Sequence, residues 1–390
     1  MPKKNLTEPD KPFRFIHCAD AHLGYKQYGL EERVGDFFNA FDEVISYAIK
    51  NDIENIIIAG DLFHKKDLNP NTLKRTEEKL NRAKGRDIKV TVIEGNHDSK
   101  HYINKMSWLE YLDHLGLISL LPAGDKLVCY NLGDISHVSM CNVWGGKYQG
   151  ASISKFLDQT YEDVLKSTHK KDGFVWEGSY NILMLHCGVI GMLPHTGSVN
   201  PDSLMRFKNP FDYVALGHIH KPGEIENFIF NPGSLENCSI AESEYQGGFY
   251  DVTLSSKGVD AKHIPTTTRP VVRLRVDTSI NFSMNEVPWA EFLKGYTKPI
   301  VEVSVYGVSE NRVKPEHIPD IGALYVKVKD FTTRPSEQIE FKGNDPKDVE
   351  HQVVESFTGD KKLTALLLSL KGIEDEDPEI TYSKFEGLVN

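Results

Sequence analysis

Between Phe13 and His220, five short apolar runs each end on a carboxylate, an amide or an imidazole. The runs are FRFIHCAD, NIIIAGD, KVTVIEGN, YNILMLHCG and DYVALGHIH. Each is a strand-length block rich in β-branched or aromatic residues. Helical patterns separate the first three. In RVGDFFNAFDEVISYAIKN, Phe37, Phe41, Val44, Ile45 and Ala48 fall on one face. Repeated strand–helix–strand order predicts an α/β domain. Farther on, GEIENFIFNPGS and GGFYDVTLSSKGVDAKHIP read as antiparallel hairpins. They predict a second sheet packed on the first.

The texture changes near TTTRP, residues 266–270. Beyond it, β-like runs (VVRLRVDT, PIVEVSVYGV, ALYVKVKDF) alternate with short helices. The expected organisation is a polar tail over 1–12, a main domain over 13–268, a smaller α+β domain over 269–345, and a helical segment with an acidic tail over 346–390. No internal repeat is visible.

Bulk properties narrow the function. With 39% hydrophobic and 26% charged residues the chain reads as globular. No apolar run approaches the roughly 20 residues that span a bilayer. The polar start, MPKKNLTEPDKP, lacks the apolar core of a signal peptide, so a cytoplasmic location is expected, nucleoid-associated if prokaryotic. Five scattered cysteines without a C-x-x-C pair predict buried reduced thiols that take no part in chemistry. A net charge of −11 argues against nucleic acid as a partner. The objection weakens because the last twenty residues alone carry six acids against two lysines, and metal-binding carboxylates are neutralised locally.

The chemistry gathers at the strand ends. These carry Asp20 and His22, Asp61 and His64, Asn96, His97 and Asp98, His186, and His218 with His220. In a layered α/β fold the carboxyl ends of the strands line one edge, where ligands bind. Residues two apart in extended chain share a side, so Asp20 can act with His22 and His218 with His220. Glycines before Asp61, Asn96 and His218 suggest sharp turns there. Carboxylate, imidazole and amide donors without thiolate suit manganese, iron or zinc in a catalytic site. Two such ions about 3.5–4 Å apart clamp a phosphoryl group and activate water. Singly, each motif is equally readable as a turn or a surface strand. The ordered set is harder to assign to structure alone.

That ordered set, D-x-H, G-D, G-N-H-D, a lone histidine after an apolar strand and G-H-x-H, is similar to that of the calcineurin-like metallophosphoesterases. The resemblance implies a two-sheet metallophosphoesterase sandwich flanked by helices. It also implies that Asp20, His22, Asp61 and His220 hold one divalent ion. Asp61, Asn96, His186 and His218 would hold the other, with Asp61 bridging. His97 would serve at the scissile phosphate, oriented by Asp98.

Serine/threonine phosphatases continue G-D-x-x-D-R-G and purple acid phosphatases G-D-x-x-Y, whereas this chain has GDLFHKK. With ADAHLGYKQYGLEERVGDFF, EGNHD, YVALGHIHK and NPGSLE, it resembles the DNA double-strand-break repair nucleases of the SbcD or meiotic recombination eleven type. That resemblance implies manganese-dependent 3′-to-5′ exonuclease and endonuclease activity, with a DNA-binding cap formed by the smaller α+β domain. His64 would position the phosphate; the alternative for it is a helix-capping or supporting imidazole. Lys26, Arg33, Lys65 and Lys66 are candidate phosphate contacts, each also readable as a solvated charge. The family's partner is an SbcC-type ABC ATPase with a coiled coil, and DKKLTALLLSLKG is a candidate docking helix. A homodimer is expected through NTLKRTEEKLNRAK and NKMSWLEYLDHLG, with Met106, Trp108, Leu109 and Leu112 as candidate contacts. The competing readings are a diesterase for small nucleotides or sugar nucleotides, and a metal-site scaffold without activity.

Overall fold

A computed structural model describes residues 11–100, 106–121, 128–132, 140–167, 179–191, 198–278 and 283–333. The described residues up to Val271, with Tyr296–Ile300, form one compact unit. Val272–Gly295 and the described residues from Val301 form a second. The tail over 1–10, the docking helix DKKLTALLLSLKG and everything after 333 lie outside the described residues.

The strands of the first unit are β1 (Phe13–Cys18), β2 (Asn55–Ile58), β3 (Lys89–Val92), β4 (Ser119–Leu120), β5 (Val128–Leu132), β6 (Met140–Gly146), β7 (Ser179–His186), β8 (Gly188–Val189), β9 (Ser198–Val199), β10 (Tyr213–Gly217), β11 (Gly223–Ile225), β12 (Ile229–Asn231), β13 (Gly248–Ser255) and β14 (Gly258–Pro265). Twelve of them form two six-stranded mixed sheets, ordered β14-β13-β1-β2-β3-β4 and β11-β12-β10-β7-β6-β5, while β8 and β9 pair with each other. The neighbours from β1 to β4 run parallel, with Ile16 beside Ile56 and Ile56 beside Val90. In the second sheet β6, β7, β10 and β12 run parallel. The two predicted hairpins do not build a sheet of their own: β13–β14 extends the first sheet beside β1, and β11–β12 edges the second.

Period-two alternation explains the layering. Phe13, Phe15 and Ile57 face inward, meeting Val143, Ile182, Met184, Tyr213 and Phe230 of the opposite sheet. Ile16, Cys18, Ile56 and Ile58 face outward under helices α1 (Glu31–Lys50), α2 (Pro70–Lys84) and α3 (Trp108–His114). Behind the second sheet lie α4 (Ile153–Ser167) and α5 (Pro201–Met205), packed on Leu183, Leu185, Val214 and Leu216. The predicted α1 face is fully buried at Phe37, Phe41, Val44, Ile45 and Ala48. Helix α2 starts cleanly because the Asn69 side chain accepts from Thr72 N at 2.8 Å and Pro70 occupies the first turn. Of the candidate dimer contacts, Leu109 and Leu112 are spent in the core, while Met106 is exposed.

The second unit is built on a three-stranded sheet, β15 (Val271–Thr278), β16 (Ile300–Gly307) and β17 (Tyr325–Asp330), in that order. One face, with Val272, Val276, Val301, Val303 and Val305, packs on Met284, Val287, Leu293, Ile318 and Trp289 of α6 (Trp289–Phe292).

Candidate metal centre

Strands β1, β2, β3, β7 and β10 deliver the predicted ligands to one edge. The Asp20, His22 and Asp61 donor atoms lie within 4.8 Å of one another. His22 Nε2 faces His220 Nε2 at 3.0 Å. On the other side of Asp61, its Oδ2 is 3.3 Å from His186 Nε2. Asn96 Oδ1 is 3.1 Å from that same nitrogen and 3.0 Å from His218 Nδ1. Asp61 therefore stands between two groups of donors.

The loops reach this arrangement under backbone strain. Asp20 (φ 51°), His22 (φ 45°), Asp61 (φ 52°) and His218 (φ 86°) all adopt left-handed conformations. For non-glycine residues such strain is typical of functional sites and persists where surrounding structure over-determines it. The glycines play a different part from the one expected. Gly60 does turn with φ +93°. Gly95 and Gly217 do not; they allow close approach, since a Cβ on Gly95 would lie 2.0 Å from Asp61 Oδ1 and one on Gly217 2.2 Å from Ala59 O.

Hydrogen bonds set which nitrogen of each histidine points inward. His186 Nδ1 donates to the Ala59 carbonyl at 2.7 Å, so in the neutral ring Nε2 presents its lone pair to Asp61 and Asn96. His220 Nδ1 sits 3.1 Å from Glu242 Oε1, leaving Nε2 toward His22. This carboxylate–histidine arrangement raises the ligand's basicity and fixes its ring. The backbone holds the carboxylates in turn: His218 N donates to Asp20 Oδ2 at 2.9 Å, and His97 N to Asp61 Oδ1 at 2.8 Å.

The residues fit a pair of divalent cations on two counts. Asp20 Oδ1 and His22 Nδ1 are buried without a hydrogen-bond partner, a costly state for groups removed from water. Burial pushes the Asp20 carboxyl up to about 6, so its anion needs a positive neighbour. Burial acts the same way on Asp61, but the His186 ring beside it wins and holds that carboxyl low. The donors are mostly hard oxygens and imidazoles, suited to manganese, iron or zinc.

His97 and His64 adjoin this cluster. His97 Nδ1 donates to the His64 carbonyl at 2.8 Å. The His64 ring stacks between Tyr25, at 3.7 Å between centroids, and His97, at 5.2 Å. Burial, reinforced by His97, pushes the His64 imidazole down to about 4, so it is neutral near pH 7. It caps no helix, since Asn69 caps α2.

Two expectations need correction. Asp98 does not orient His97: its carboxylate accepts from Leu62 N and Gly95 N, both at 2.7 Å, tying the loop after β2 to the loop after β3. Orientation of His97 comes from the His64 backbone. Arg33 is no phosphate contact; its side chain is 0% exposed and bonds Gln27, Asp36, Glu236 and the Asn237 carbonyl. Cys238, expected as a reduced thiol, has its sulfur within 4.8 Å of His22 and His220 nitrogens, and burial raises it to about 11 and keeps it a thiol. Of the remaining cations, Lys26 pairs with Glu31, Lys65 is exposed and Lys66 is half-buried. His17 lies away from the cluster, between the sheets, where it bonds Tyr213 and the Leu216 carbonyl. His195 lies outside the described residues.

Sequence reasoning missed Tyr25, Glu242 and Tyr148, whose ring is 5.2 Å from that of His218. The Tyr25 in AHLGY carried a faint signal, an aromatic three residues after a ligand. Glu242, 22 positions beyond His220 and in a 3-10 turn, carried none.

The model of the calcineurin-like phosphoesterase family matches residues 13–222, more than half of the chain. The chain belongs to that family. Among its relatives is the DNA double-strand break repair protein Mre11 of Methanosarcina acetivorans, 28% identical over 89% of this chain and 55% of that protein. Mre11 of Methanococcus maripaludis is 31% identical over 61% of this chain and 62% of its own length. Mre11 of Saccharolobus solfataricus is 25% identical over 93% and 96%. This phosphoesterase thus spans about half the length of the Methanosarcina proteins it matches.

Proposed function

We propose that the chain is a manganese-dependent DNA nuclease, acting as a 3′-to-5′ exonuclease and an endonuclease in double-strand-break repair. The observation that carries this reading is the His64–His97 column set against the seven-ligand edge. A phosphodiesterase needs metal donors, a proton donor and a group that aims the phosphate, and these side chains supply all three.

Two divalent ions held by Asp20, His22, Asp61, Asn96, His186, His218 and His220 would neutralise the phosphate and lower the pKa of a bound water. The protein residues do the rest. His97, its Nδ1 proton given to the His64 carbonyl, keeps Nε2 for the substrate. When protonated there, it donates to the leaving oxygen. The His64 ring, held flat against Tyr25, forms a wall that limits how the scissile phosphate turns. Lys65 and Lys66 follow directly on that loop and are suited to neighbouring phosphates. The family resemblance adds a homodimer and an SbcC-type ABC ATPase as partners to this reading.

Purified protein with manganese and end-labelled duplex DNA tests it. Wild type should release nucleotides from 3′ ends. His97→Ala should lose about 100-fold or more, the usual worth of a positioned acid. His64→Ala should lose exonuclease activity more than endonuclease activity. Intact DNA alongside hydrolysis of bis(p-nitrophenyl) phosphate would sink the assignment and leave a small-diester enzyme.

A further inference from the structure

One thiol stands among the donors on the His22–His220 side of Asp61. Cys238 follows β12, in the segment NPGSLENCSIAE. Its sulfur and one nitrogen each of His22 and His220 all lie within 4.8 Å of one another. The two imidazoles turn Nε2 toward each other at 3.0 Å. Asp20 Oδ1, buried and without a hydrogen-bond partner, is 4.0 Å from His220 Nε2 and supplies a fourth donor. These positions are fixed in common. Glu242 accepts from Cys238 N at 2.7 Å through Oε2 and lies 3.1 Å from His220 Nδ1 through Oε1. One carboxylate thus holds both the chain at the thiol and the ring beside it.

Apolar packing does not account for this sulfur. Cys18, Cys141 and Cys187 belong to the three apolar layers of the first unit, where a free cysteine acts as a small hydrophobe. Cys238 belongs to none of those layers. Its thiol meets imidazoles instead, and donates to the Glu236 carbonyl at 3.8 Å, a weak bond.

We infer that Cys238 is a metal donor, which with Asp20, His22 and His220 makes this side of the centre a site for a thiophilic divalent ion, zinc before manganese. Two imidazoles, a thiolate and a carboxylate are four donors, the number that zinc takes in its tetrahedral sites. Thiolate selects zinc, whereas manganese favours oxygen and stands lowest in the divalent affinity order. Binding breaks the S–H bond and forms a metal–sulfur bond, and the proton leaves to water. Zinc would then take the place of the manganese proposed for Asp20, His22, Asp61 and His220. If Cys238 merely fills space beside an oxygen-and-imidazole site, no metal–sulfur bond forms. The inference rests on the metal centre proposed above and is independent of DNA as the substrate.

The test titrates cobalt, a coloured stand-in for zinc, into the metal-free full chain without DNA. Wild type should develop a sulfur-to-cobalt charge-transfer band in the near ultraviolet, together with the visible bands of bound cobalt. Cys238→Ser should lose the ultraviolet band and keep the visible ones. Zinc added to the manganese-loaded chain should release manganese, read as the free-ion signal by electron paramagnetic resonance. The zinc needed should rise about 10-fold or more in Cys238→Ser, since even groups that only support a ligand are worth that much. Cys238→Ala should behave as Cys238→Ser, and unchanged thermal unfolding shows that both remain folded. Visible bands without the ultraviolet band in wild type overturn the sulfur donor and leave the metal centre standing, as does an ultraviolet band that survives in Cys238→Ser. A wild type that takes up no cobalt overturns both. A wild type with the sulfur band that cuts no DNA sinks the nuclease reading and leaves Cys238 a donor.

Discussion

At the scale of single residues, the candidate metal ligands could be grouped from sequence because each sits where a strand ends, and strand ends converge by topology. The residues that support them were not, because their partners are close in space and distant in chain. Glu242 is the clearest case: it reaches His220 from a turn after β12, and nothing in NCSIAE marks it. Its carboxylate fixes the His220 ring and keeps the proton on Nδ1. Glu242→Gln retains the shape and a weaker acceptor while removing the charge. Divalent-ion affinity should fall about 10- to 100-fold, as outer-shell partners of ligating histidines usually show. Isothermal titration of the metal-free protein with manganese measures it. Unchanged affinity would mean that the His220 ring is held by its strand alone.

At the scale of elements, the long features were readable and the short ones were not. The 20 residues of α1 declared themselves by period, and β7 and β10 by unbroken apolar runs. Strands of two residues, such as β4, β8 and β9, have no period to detect. Where β13–β14 would pair was equally hidden, because a hairpin's own sequence does not name its neighbour. Alternation along β1 carries a further consequence: it turns His17 into the space between the sheets, completely buried. Burial pushes that imidazole down to about 3, so the folded state refuses a proton that the unfolded chain accepts near pH 6.5. Stability present above pH 6.5 is then lost as the pH falls toward 3, by about 1.4 kcal/mol per unit. His17→Gln removes the group that titrates. The stability advantage of wild type over this variant, from urea unfolding, should shrink by about that amount per unit between pH 6 and pH 4. A constant gap would show that His17 does not resist protonation.

At the scale of the whole first unit, the misread Arg33 becomes the centre of a charge cluster. It lies four residues before Phe37, on the buried face of α1, so helical spacing already carried the signal that its basic character obscured. Its guanidinium bonds Gln27 at 2.7 Å, Asp36 at 2.6 Å and Glu236 at 3.1 Å. Arg269 completes the cluster, with its side chain on Asp36 at 2.5 Å and its backbone N–H on Glu236 at 3.0 Å. Four separate stretches of chain are tied here: the turn before α1, α1 itself, the NPGSLEN segment and the TTTRP segment. The net worth of such a cluster is small, because burying the charges costs nearly what their attraction returns. Removing one member is a different matter. Arg33→Met leaves Glu236, 1% exposed at its side chain, without its main cation, although burial already pushes that carboxyl upward. The expected loss is about 3–5 kcal/mol, read as a lowered urea midpoint at pH 7. Adding Glu236→Gln to Arg33→Met should restore part of it, since the orphaned charge is then gone. A single-variant loss below about 1 kcal/mol, or a double variant no more stable than the single, would show that the four segments are held by apolar packing and that the charges merely occupy the space between them.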